Sequence, residues 1–122
     1  MRVLLVDDES LITTSLKIFL EDEGMSASAV DSGEKAVETL QRDKGFDVCI
    51  MDMRLPGIDG NETIRQLHQI APSLRFIVHT GSVDYIVPKD LERLGIREEH
   101  IFQKPLSDMK SVAEAVRSLQ SG

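Results

Sequence analysis

The 122-residue chain carries 21 acidic against 14 basic side chains, a net charge of −7 that argues against a nucleic-acid surface. Leu, Ile, Val and Phe make up about 30% of it, well above the roughly 20% of disordered acidic sequences, so a packed core is expected. No apolar stretch approaches the ~20 residues of a membrane span, and Val3-Leu4-Leu5-Val6 is too short for a signal-peptide core, which points to a cytoplasmic protein without membrane partners. A single domain over residues 1–122 is expected, because no repeat, low-complexity run or linker interrupts the pattern. The lone cysteine, Cys49, sits in an apolar run and reads as a reduced, buried small hydrophobe.

Short β-rich runs alternate with segments of helical period, five of each, the pattern of crossover units around a parallel α/β sheet. Val3–Val6 is a continuously apolar first strand that ends in Asp7-Asp8. Ile12, Leu16, Phe19 and Leu20 recur at helical spacing from Ser10, and Gly24 stops that helix. A weaker strand over Met25–Val30 leads to a helix capped by Ser32 with Ala36, Val37 and Leu40 inward. The third strand, Asp47–Met51, runs into Asp52. Asp59 with Glu62 resembles a capping box, and the third helix carries Ile64, Leu67 and Ala71 before Pro72 ends it. The fourth strand is Arg75–His79, ending in Thr80. Residues 81–87 read as a loop, since a helix from Ser82 would hold Pro88 in its interior; a short fourth helix, Pro88–Leu94, starts on that proline and stops at Gly95. His100–Gln103 is the fifth strand, ending in Lys104-Pro105, and Ser107 caps a last helix with Val112, Val116 and Leu119 inward.

In an open parallel sheet the ligand crevice lies beyond the carboxyl ends of the strands. Asp7 and Asp8 close the first strand, Asp52 the third, Thr80 the fourth and Lys104 the fifth, so residues spread along the chain converge on one rim. Each alone is an ordinary helix cap, turn former or solvated charge; together they are hard to attribute to turn chemistry. Two carboxylates about 5 Å apart repel by roughly 3 kcal/mol at an effective dielectric of 20. Lys104 offsets one of three charges, and a divalent cation balances the other two. An all-oxygen donor set without His or Cys suits Mg²⁺, with Mn²⁺ as a substitute. A lysine, a hydroxyl and Mg²⁺ are parts of a phosphoryl clamp in which a carboxylate can be the nucleophile. No GxxxxGK[ST] or GxGxxG loop is present to supply a nucleotide.

With Val6-Asp7-Asp8-Glu9, the run from Met51-Asp52 to Asp59-Gly60, His79-Thr80-Gly81 and Lys104-Pro105 in hand, the whole sequence resembles the receiver domain of two-component response regulators. The resemblance implies a doubly wound five-stranded sheet in the order 2-1-3-4-5, a flavodoxin-like three-layer sandwich with five helices. It also implies that Asp52 accepts a phosphoryl group from a sensor histidine kinase or phosphotransfer protein. Asp8, Asp52 and the backbone carbonyl of Arg54 would ligate Mg²⁺, with Asp7 acting through a water. Thr80 and Lys104 would bond phosphoryl oxygens, and the Lys104–Pro105 peptide would be cis. Such a protein is a switch in a phosphorelay rather than an enzyme, apart from slow self-dephosphorylation. Its output partner or output domain is not encoded in any motif, and a homodimer is compatible with the reading.

Three departures stand out. The family usually places an aromatic residue three positions before the lysine, and here that residue is Ile101; Tyr85 or Phe102 takes over the relay, or Phe102 is core and Tyr85 pins a loop. The segment from Thr80 to Lys104 carries Pro88, so the fourth helix is shifted or shortened. Arg54 and Ser82 stand at variable positions beside the phosphoryl group, where Arg54 either pairs with it or is solvated. His68, His79 and His100 read as surface or core residues. Two alternatives remain: a degenerate receiver acting as an interaction module, and a Mg²⁺-dependent aspartyl-phosphate phosphohydrolase, against which Asp52-Met53-Arg54 lacks the second Asp of a DxD motif.

Overall fold

The computed structural model describes residues 1–106 and 108–121. The elements alternate as expected: β1 (Arg2–Val6), α1 (Ser10–Asp22), β2 (Ser26–Val30), α2 (Gly33–Arg42), β3 (Val48–Asp52), α3 (Gly60–Ile70), β4 (Arg75–Thr80), α4 (Lys89–Glu92), a 3₁₀ turn (Glu98–His100), β5 (Ile101–Gln103) and α5 (Met109–Ser121). All strand pairs are parallel, and the order is β2-β1-β3-β4-β5. The chain reverses direction across the sheet between β1 and β3, and the crevice of such a fold opens there, outside the carboxyl ends.

Strand residues alternate between two cores because both faces of the sheet are covered. Leu4, Val6, Cys49, Met51, Phe76 and Val78 pack against α2, α3 and the α4 region. Val3, Leu5, Ile50 and Ile77 pack against α1 and α5. Each fully buried Leu or Ile contributes roughly 2 kcal/mol of apolar burial, which is how a chain with four phenylalanines, one tyrosine and no tryptophan holds together. Burial pushes the Cys49 thiol pKa up, keeping it an inert part of that core.

Caps fix the helix starts. Ser32 Oγ accepts from the Lys35 amide at 3.1 Å. Loss of that bond in Ser32→Ala should cost about 1 kcal/mol, read as a lower urea midpoint at unchanged slope. Asp59 Oδ1 accepts from the Glu62 amide at 2.9 Å, but Glu62 spends its own carboxylate on Gln66 and Arg65, so only half of a capping box forms. The cap expected at Ser107 lies outside the described residues; Asp108 accepts from the Lys110 amide at 2.9 Å and the Ser111 hydroxyl at 3.0 Å. Gly24 and Gly95 take φ of 88° and 98°, the left-handed conformation that ends a helix without a Cβ penalty.

Four strands shift by one residue at an end, β1 starting at Arg2, β2 at Ser26, β3 running Val48–Asp52 and β4 ending at Thr80, and the α4 and β5 boundaries differ for visible reasons. Pro88, at ψ 149°, stands outside α4 rather than at its first position, its carbonyl accepting from Leu91 and Glu92. The Leu94 and Gly95 amides then bond back only three residues, so the helix tightens and ends at Glu92 instead of Leu94. His100 is not in β5: it closes the 3₁₀ turn, and its Nδ1 accepts from the Arg97 amide at 3.1 Å. No helix among the described residues is long and apolar enough to cross a membrane.

Candidate functional site at the carboxyl ends of the strands

Four strand ends build the site. Asp7 follows β1, is buried, and its Oδ1 accepts from the Glu9 amide at 2.9 Å, a turn that directs Asp8 and Glu9 over the rim. Asp52 is the last residue of β3, equally buried, with the Arg54 amide 3.3 Å from its Oδ1. Lys104 extends the β4–β5 ladder, its amide 2.9 Å from the Thr80 carbonyl, and the Lys104–Pro105 peptide is cis. From there its ammonium reaches Glu9 Oε1 at 2.7 Å, Asp7 Oδ2 at 2.9 Å and Asp52 Oδ2 at 3.4 Å. The Asp7 contact is a close charge pair rather than an aligned hydrogen bond, leaving Asp7 Oδ2 buried without a donor.

The sequence therefore identified four members of this cluster, Asp7, Asp8, Asp52 and Lys104, and missed Glu9. Carboxylate oxygens of Asp7, Asp8, Glu9 and Asp52 all lie within 4.8 Å of one another. Four carboxylates against one ammonium leave three net negative charges in a partly desolvated rim. Burial and, next, the charge of Asp7 push the Asp52 carboxyl from the ordinary 3.8 up to about 6, against the pull of Lys104. Burial pulls the Lys104 ammonium down, but the Glu9 bond and the Asp7 and Asp52 charges outweigh it and raise its pKa. Glu9 is lowered by the same bond. A hard, all-oxygen, electron-rich cluster with a buried oxygen lacking a donor fits a divalent cation of the Mg²⁺ type.

Thr80 is fully buried, and its Oγ1 accepts from the Ser82 amide at 3.1 Å, tying the hydroxyl to the β4–α4 loop. Arg54 is exposed. His79, one residue before Thr80, faces the α1 side, in register with Asp52 and Phe102; burial, then the Lys104 charge, lowers its pKa.

The aromatic candidates separate by face. Ile101 and Tyr85 both pack on the core beneath α3 and α4 and line one cleft of about 410 Å³ with Val87 and Ile96. Tyr85 also donates its hydroxyl to Asn61 Oδ1 of α3 at 2.7 Å, and burial raises its pKa to about 12. Phe102 packs on the opposite core with α1 and α5.

The switch point of this α/β fold thus gathers carboxylates and a lysine, with a threonine ending the next strand, a set that can hold a divalent cation and meet a phosphoryl group. A family model described as response regulator receiver domain matches residues 3–117. The alginate biosynthesis transcriptional regulatory protein AlgB of Pseudomonas aeruginosa is 37% identical over 100 residues, 70% of this chain and 22% of the relative. The transcriptional regulatory protein CpxR of Escherichia coli is 30% identical over 115 residues, 92% of this chain and 46% of the relative. A response regulator receiver protein from Sinorhizobium medicae superposes with a TM-score of 0.81 at 26% identity, over 100% of this chain and 95% of that one.

The chain belongs to the response regulator receiver domain family, whose general role is a phosphorylation-dependent switch in two-component signalling. It spans less than half the length of these two curated relatives.

Proposed function

We propose that Asp52 is the phosphoacceptor of a cytoplasmic phosphorelay switch, supplied by a sensor histidine kinase or a phosphotransfer protein. The observation that carries this reading is the buried Asp52 carboxylate at the carboxyl end of the central strand, with Lys104 Nζ 3.4 Å away and three more carboxylates around it. In the transfer a carboxylate oxygen of Asp52 attacks phosphorus, the phosphorus–nitrogen bond of the donor phosphohistidine breaks, and the imidazole leaves with the electron pair. Slow attack of water at phosphorus later releases inorganic phosphate and restores the carboxylate. Mg²⁺, or Mn²⁺ in its place, would be held by Asp8, Asp52 and the Arg54 carbonyl, with Asp7 acting through a water, and would supply positive charge to this acidic rim.

Phosphorylation replaces a charge of −1 on Asp52 with about −2. Lys104 within the cluster and the Thr80 hydroxyl at the end of β4 are the donors that would answer it. Because Thr80 Oγ1 also holds the Ser82 amide, a shift of Thr80 draws on the loop that carries Tyr85. Tyr85 shares the cleft beside Ile101, which supports Tyr85 as the relocated aromatic relay; Phe102, on the other core, is placed for packing. The output partner or domain is then read out through the surface around Tyr85.

Intact-mass measurement after incubation with acetyl phosphate tests the reading. An adduct of about 80 Da that requires Mg²⁺ is expected. No adduct at confirmed Mg²⁺ occupancy would leave a degenerate receiver that acts only as an interaction module.

A further inference from the structure

The nearest partner of Lys104 is not Asp52 but Glu9, and the surroundings of Glu9 set it apart from the other carboxylates. It occupies the N-cap position of α1, where a side chain ordinarily bonds the first free amides, yet it makes no cap bond. Its carboxylate instead reaches Lys104, 95 positions along the chain, at 2.7 Å. Its side chain is 56% exposed, whereas those of Asp7 and Asp52 are 6% and 4% exposed.

The one hydrogen bond that the ammonium makes is to Glu9, while Asp7 and Asp52 stand beside it as close charges. A phosphoryl oxygen on Asp52 takes the place of the Asp52 oxygen beside Nζ and, as the stronger anion, competes for that one directed bond, which is won from whichever carboxylate gives way most cheaply. Releasing Asp7 would strand a buried carboxylate, which is costly, while a released Glu9 is rehydrated where it stands. We propose that Glu9 is a positioning residue that holds Lys104 in the unphosphorylated state and is exchanged for the phosphoryl group when Asp52 is modified. The proposal rests on Asp52 being the phosphoacceptor and goes beyond it by naming the competitor that the phosphoryl group displaces. Glu9 thus opposes accumulation of the modified state, and its grip on Lys104 sets how strongly a phosphoryl-like ligand is retained.

Two replacements separate the contact from mere charge. Glu9→Gln keeps the reach and removes the charge; Glu9→Asp keeps the charge and shortens the reach by roughly 1.5 Å, beyond hydrogen-bond distance of Lys104. Beryllium fluoride, a non-reacting phosphoryl mimic, would be titrated into each at saturating Mg²⁺ and followed by fluorine NMR, with Asp52→Asn as the blank. Both variants are expected to bind about fivefold more tightly than the original chain, the scale of one partly exposed ion pair. Equal affinity in all three, weaker binding in either variant, or a gain confined to Glu9→Gln would overturn the proposal, the last showing that net charge alone matters. An original chain that binds no beryllium fluoride and takes no acetyl-phosphate adduct would instead overturn the phosphoacceptor reading, and the exchange with it.

Discussion

Asp52→Asn is expected to take up no phosphoryl group from acetyl phosphate under conditions in which the original chain gains an adduct of about 80 Da, because the amide offers no anionic oxygen to phosphorus. Persistent labelling at the same stoichiometry would move the nucleophile elsewhere on the rim. The same substitution is expected to stabilise the fold. Burial and Asp7 raise the Asp52 carboxyl from 3.8 to about 6, so the folded chain holds this proton more tightly than the unfolded chain does. Ionised Asp52 therefore weakens the fold above about pH 6, and the weakening fades as pH falls from 6 towards 4. In chelator at pH 7, Asp52→Asn should be more stable by about 3 kcal/mol, and the gap should close across that acidic window in urea melts. A variant no more stable than the original at pH 7 would mean that Lys104 already neutralises Asp52.

Gly60→Ala should show the largest loss of stability of the substitutions considered. A Cβ at Gly60, the first residue of α3, would lie 2.4 Å from the Asp52 carbonyl oxygen and 2.7 Å from Met53 Cα. Those are backbone atoms that cannot swing aside, and the Gly60 amide is itself bonded to the Met53 carbonyl at 3.1 Å. Either α3 or the end of β3 must move, at a cost of about 3 kcal/mol. Because the end of β3 is Asp52, slower uptake from acetyl phosphate should accompany the lower urea midpoint. A variant destabilised but phosphorylated at the original rate would show that α3 alone gives way.

The parts of this molecule that the sequence made legible are those governed by local rules. Continuous apolar runs announced a sheet covered on both faces, and polar residues at their ends marked Asp7, Asp8, Asp52, Thr80 and Lys104 as neighbours, because strand ends of a parallel sheet share one rim. What was illegible depends on contacts between distant segments. Nothing near Glu9 in the chain suggests that its carboxylate turns away from its own helix to meet Lys104; the one available signal was its place directly after the Asp pair. The end of α4 at Glu92, two residues before Leu94, turned on the Leu94 and Gly95 amides bonding back only three residues, a tightening that propensity does not resolve. That Tyr85 and Phe102 land on opposite faces of the sheet was likewise not readable from their neighbours in the chain.

The hydrogen bond from Tyr85 to Asn61 has a consequence in optics. Tyr85 is the only tyrosine, and the chain has no tryptophan, so its ultraviolet emission comes from a single ring at the edge of the cleft beside Ile101. Phenol emission depends on what its hydroxyl donates to and on how much water reaches the ring. The loop that links Thr80 to α4 therefore carries its own unlabelled optical probe, and a stopped-flow trace of its intensity reports that loop in real time.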